Sequence, residues 1–120
     1  FKHQDIWGAA GSMSGGLDIR PFSGEWNIAD LLGSYTDNKN NWEEYTVMNM
    51  THLLNGELKI IFDCGKDDFF ADVNEAFHKK LIAEQIPHDY SVRPGTHNWG
   101  YWSESIKSHL IFFDEFFQKN

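Results

Sequence analysis

Apolar positions recur along this chain with two alternating periods. Ile6 to Ser14 (IWGAAGSMS) is a run of small and apolar residues closed by Gly15-Gly16, which predicts a buried strand whose neighbours approach closely. Leu58 to Phe62 (LKIIF) is nearly continuous in apolar character, as a central parallel strand is. Tyr90 and Val92 alternate with polar neighbours in a third short strand that ends at Pro94-Gly95. Between these runs the period lengthens. Val47, Met50 and Leu54 fall on one helical face and predict a helix over Trp42 to Leu54, closed by Asn55-Gly56. Val73, Phe77 and Leu81 predict a second helix with Asp72 as its N-cap. Trp102, Ile106, Leu110, Phe113 and Phe117 predict a long amphipathic C-terminal helix with those residues as its core stripe. The stretch from Leu17 to Asn41 carries Pro21 and the polar run TDNKNN, and reads as an excursion with one short helix around Trp26 to Leu32.

Strands separated by helical crossovers form a parallel sheet with helices on both faces, so the expected class is α/β. In such sheets ligands bind at the carboxyl ends of the strands. The loops after Phe62 and after Val92 are therefore the ones to search.

Length and charge narrow the reading. A chain of 120 residues with 41% hydrophobic content can bury one core, and holds one domain or less. It opens on Phe1, and the first methionine is Met13, which predicts a piece of a longer product. A net charge of -8 lacks the clustered Lys and Arg of a phosphate-binding surface, so nucleic acid is not an expected partner. No apolar run reaches the roughly 18 to 20 residues that cross a bilayer, and no membrane partner is expected. A single cysteine, Cys64, forbids an intrachain disulfide and a cysteine-based zinc site, and leaves the compartment open.

The chemistry sits after the second and third strands. The first loop reads Asp63-Cys64-Gly65-Lys66-Asp67-Asp68-Phe69-Phe70 and the second Gly95-Thr96-His97-Asn98-Trp99. A carboxylate and an imidazole on neighbouring strand ends can meet. A histidine acting as general base needs its second ring nitrogen anchored by such a carboxylate, which fixes the tautomer and stabilises the imidazolium. The order acid then histidine, with a helix between, is the order found in α/β-hydrolases after their serine. Asp63, Asp67, Asp68 and Asp72 also invite a calcium reading, but they lack the alternating ligands and sixth-position glycine of a calcium loop, so no metal is expected. Nor is a cofactor. For His3, His52, His78, His88 and His109 an ordinary surface or core role is expected, and for Cys64 a buried inert thiol.

In the strings SMSGGLD (Ser12 to Asp18), DCGKDDFF (Asp63 to Phe70), Phe77-His78, Ile86-Pro87-His88 and GTHNWGYW (Gly95 to Trp102), together with Asn74, the chain resembles the esterase family that includes S-formylglutathione hydrolases, tributyrin esterases and feruloyl or acetyl-xylan esterases. The resemblance covers nearly the whole chain. It implies the C-terminal half of an α/β-hydrolase three-layer sandwich acting on carboxylic esters or thioesters. It implies that Asp68, three residues after Gly65, is the acid and His97 the base, with Asp67 as the alternative acid. Small-molecule or carbohydrate-linked esters would be the substrates. Trp99, which flanks the histidine loop, is expected either to line an acyl or aryl pocket or to join the core, since aromatic residues dominate both.

The nucleophile elbow, G-x-S-x-G between strand and helix, does not occur in this sequence. Ser12-Met13-Ser14-Gly15-Gly16 is the nearest string, but it lacks the first glycine and runs into Pro21 rather than a helix, so Ser14 is a poor candidate. The resemblance places the serine before Phe1, and makes an N-terminal fragment of the same protein the expected partner. The competing reading is a non-catalytic module, either hydrolase-like or carbohydrate-binding, suggested by five tryptophans and an acidic surface. Carbohydrate-binding modules are mostly β-sandwiches, against which the helical periods argue.

Overall fold

The computed structural model describes residues 1–119. Three strands, β1 (Ala9–Met13), β2 (Lys59–Gly65) and β3 (Asp89–Arg93), pair in parallel in the order β1-β2-β3. The register sets Met13 beside Asp63 and Gly65 beside Arg93, so the carboxyl ends of all three strands share one rim. Helices α1 (Ile28–Leu32) and α2 (Lys39–Glu44) lie in the excursion between β1 and β2, with 3-10 segments at Arg20–Phe22 and Val47–Leu53. Helix α3 (Ala71–Ala83) joins β2 to β3, and α4 (Trp99–Lys119) closes the chain.

Alternation along β2 explains the two layers of helix. Ile60 and Phe62 point to the α3 side, where Phe77 and Leu81 complete the main apolar cluster, and Cys64 continues that face against Phe70 and Val73. Phe77 and Leu81 are 2% and 0% exposed, and burying each contributes roughly 1.5–3 kcal/mol before entropy is counted. The odd positions face α4, and there Asp63 meets Tyr101, Ser105 and His109. Small residues in and beside β1 let α4 lie close. A Cβ on Gly8 would sit 2.5 Å from the Phe116 ring, and one on Gly11 would sit 2.6 Å from Nδ1 of His109.

The expected α/β class with a parallel sheet and helices on both faces is what the chain forms, and four details differ. First, the helix expected over Trp42 to Leu54 is broken at Thr46, which is extended (φ -95°, ψ 121°). The Thr46 hydroxyl donates to the Trp42 carbonyl at 2.6 Å, and the Met48 amide donates out of the helix to the Leu17 carbonyl at 2.8 Å. Tertiary bonds thus replace the helical ladder. Second, β2 runs on to Gly65, so Asp63 and Cys64 belong to the strand rather than to the loop after it. Third, Asp72 is not the N-cap of α3. Phe70 holds that position, and Asp72 lies exposed in the first turn, where its charge favours the positive end of the helix. Fourth, the buried stripe of α4 is Tyr101, Ser105 and His109, one residue off the expected set, while Leu110 and Phe117 stay 60% and 70% exposed. One residue is about 100° of helical rotation. The face is set by the hydrogen bonds of Asp63 rather than by apolar content.

Candidate active site

Gly65 ends β2, and the chain turns at once to put Asp68 under the rim. The Asp68 amide donates to the Gly65 carbonyl at 3.1 Å, and the Lys66 and Asp67 amides donate to the carbonyls of Arg93 and Gly95 at 2.8 and 3.0 Å. The loops after β2 and β3 are therefore tied backbone to backbone. Gly65 permits the approach, since a Cβ there would lie 2.5 Å from the Gly95 oxygen. Gly95 itself has φ +139°, a conformation that favours glycine.

On this frame His97 Nδ1 lies 2.9 Å from Asp68 Oδ2. Asp68 is buried, and its other oxygen accepts from the Phe70 amide at 2.8 Å, which fixes the carboxylate plane. A carboxylate can only accept here, so Nδ1 carries the proton and Nε2 is left as the basic nitrogen. The imidazole keeps about a third of its side-chain surface open, enough to meet a substrate. Asp67 is exposed and bonds the neighbouring loop through its backbone; the structure brings Asp68, not Asp67, to His97.

Aromatic rings surround the imidazole. Phe69 lies 4.5 Å from it at 34°, Phe70 at 5.6 Å, and Trp102 at 5.0 Å and nearly perpendicular, at 87°. Trp26, from the excursion after β1, extends the wall on one side by packing on Phe69 and Phe70. Trp99 extends it on the other, 5.1 Å from Trp102 and 79% exposed. The Trp102 indole donates to the Ser14 hydroxyl at 3.0 Å. Ser14 is buried, its amide bonds the Asp63 carbonyl, and its hydroxyl serves as an anchor for Trp102. Trp26 as a contributor to this rim was not expected from the sequence, because the excursion gave no cue to where it would fold back, and Ser14, weighed only as a poor nucleophile candidate, sits there as the acceptor for Trp102.

Burial and the charges of Asp68 and Asp63 push the Cys64 thiol up to about 12, which fits an inert side chain. His78 and His88 bond each other at 2.7 Å and stack against Tyr90 and Phe62, on the α3 side of the sheet. Among the described residues no group of three or more His, Cys, Asp or Glu side chains could hold a metal ion.

The structure thus sets a buried carboxylate against a partly open histidine on adjacent loops at the carboxyl rim of a parallel sheet, where ligands bind in folds of this kind. Residues 1–113 match the family described as "Putative esterase", and the chain belongs to that family. Its fold is similar to that of FphF, a Staphylococcus aureus fluorophosphonate-binding serine hydrolase in a substrate-bound form, with a TM-score of 0.72 and 22% identity over 92% of this chain and 46% of that one. It is similar in the same way to a ferulic acid esterase (TM-score 0.72, 22% identity, 92% and 43% of the two chains). The S-formylglutathione hydrolase FrmB of Staphylococcus aureus, as apoenzyme, gives a TM-score of 0.73 at 20% identity over 92% and 46%. No match to a curated protein emerges. The chain thus spans less than half the length of these solved structures.

Proposed function

We propose that this chain supplies Asp68 and His97 to a Ser-Asp-His triad that hydrolyses carboxylic esters or thioesters, with the serine on an N-terminal part of the same protein. The single observation that carries the reading is the 2.9 Å contact between His97 Nδ1 and the buried Asp68 carboxylate at the strand-end rim. The serine hydroxyl attacks the ester carbonyl while His97 Nε2 takes its proton, and Asp68 stabilises the imidazolium. The tetrahedral intermediate expels the alcohol or thiol, which leaves with that proton. Water then repeats the sequence on the acyl-serine and releases the acid. The aromatic wall from Trp26 and Phe69 to Trp102 and Trp99 gives the ester an apolar seat, and Trp99, the most exposed of these, acts on binding more than on folding.

Steady-state hydrolysis of 4-nitrophenyl esters by the full-length protein tests this. His97→Ala is expected to lower kcat by at least about 1,000-fold, and Asp68→Asn by a comparable factor, because each removes one role of a coupled set. Asp67→Asn is expected to stay within about twofold of wild type, and Trp99→Ala to raise KM more than it changes kcat. Retained turnover in His97→Ala, or an Asp67→Asn defect larger than that of Asp68→Asn, overturns the assignment. No turnover by the wild type leaves a non-catalytic hydrolase-like scaffold as the better reading.

A further inference from the structure

The geometry points to Asp63 as a positioning residue for His97, acting through Tyr101 on the loop that carries the imidazole; this rests on the proposed roles of Asp68 and His97. Asp63 is 1% exposed and touches neither. One of its oxygens accepts from the Tyr101 hydroxyl, and the other from Ser105 Oγ and His109 Nε2, both at 2.6 Å. These partners stand on three successive turns of α4, so a single carboxylate fixes how far that helix slides and turns over the sheet. Arg93, at the end of β3, adds its guanidinium 3.6 Å from the same carboxylate.

Tyr101 carries that constraint to the rim. Its ring packs on Gly95, where an added Cβ would come within 2.8 Å of Cδ2, and its amide donates to Asn98 Oδ1 at 3.0 Å. Asn98 in turn donates to the Thr96 hydroxyl at 2.8 Å and through its amide to the Thr96 carbonyl at 2.9 Å. His97 is the residue between Thr96 and Asn98. Its ring must hold both the Asp68 contact and the direction of Nε2, and a misplacement near 1 Å costs a reaction of this kind about 100-fold. Of the three α4 partners of Asp63, Tyr101 is the one that also grips the Gly95–Asn98 loop, beside Trp102, whose amide donates to the Asn98 carbonyl at 3.1 Å.

Tyr101→Phe in the full-length protein separates positioning from bulk stability, because the ring stays on Gly95 and only the bond to Asp63 is lost. The expected result is a kcat about 10- to 100-fold lower with KM within about twofold. In the proton NMR spectrum, the low-field imidazole N–H signal of the His97–Asp68 pair is expected to broaden or move upfield. Leu81→Val, a core change on the α3 side, is expected to lower the melting temperature without either effect. A Tyr101→Phe protein with wild-type kcat and an unchanged low-field signal overturns the proposal. The NMR signal needs no turnover, so it decides the positioning role even where the wild type proves inactive and the esterase reading falls.

Discussion

Asp63 is a residue on which stability should depend as pH changes. Burial alone would raise its pKa, yet the bonds it accepts from His109, Ser105 and Tyr101 outweigh that, and the net shift is downward. A carboxylate held below its unfolded value contributes stability that is complete above that value, near 3.9, and is lost as pH falls through the folded value. Denaturant melts of the full-length protein should therefore show stability declining from about pH 4 downward. Asp63→Asn should be destabilised by about 3 kcal/mol at pH 7, because His109 and Arg93 keep their place without the charge. The gap between the two proteins should shrink by pH 3; a gap that does not change with pH removes the titration argument. At this scale the sequence was legible where chemistry leaves a motif. The resemblance carried by DCGKDDFF and GTHNWGYW pointed to Asp68 and His97, with Asp67 as the alternative acid, and the structure brings Asp68 to the imidazole. His109 and Ser105 bear no such mark. Only their period with Tyr101, four residues apart on a helix, hints that a polar face turns toward a carboxylate.

The elements position the site through the approach of two loops, and Gly65 governs it. A methyl group at that position would meet the oxygen and carbonyl carbon of Gly95, backbone atoms that cannot swing aside as a side-chain tip can. Gly65→Ala should cost about 1–3 kcal/mol and lower kcat beyond what lost folding explains, since the β2 and β3 ends that hold Asp68 and His97 are pried apart. Gly24→Ala, where nothing lies within 4 Å, is the matched silent change. Equal activity in the two variants would show that the rim tolerates spreading. The three strands and the α3 stripe were readable because apolar periodicity is local. The break at Thr46 and the rotation of α4 were not, since each is set by a bond to a residue far along the chain: Leu17 for the first and Asp63 for the second.

At the scale of the whole molecule, the distribution of apolar surface argues for a larger assembly. Among the described residues β1 pairs on one side only, and Ile6 and Trp7, just before it, are 70% and 64% exposed. On α4, Leu110 and Phe117 point away from the sheet. An unpaired strand edge flanked by such side chains is a template for association. If the proposed N-terminal part of the protein covers this side, residues 1–120 expressed alone should elute above 13.9 kDa in size-exclusion chromatography, bind a hydrophobic dye and hydrolyse no ester. Supplying the N-terminal part in trans should shift the elution to a defined complex and quench the dye. A monodisperse 13.9 kDa species that binds no dye would mean that the β1 edge and the outer face of α4 are solvated surfaces in their own right. The proposed serine would then have to reach His97 by a route that does not pair with β1.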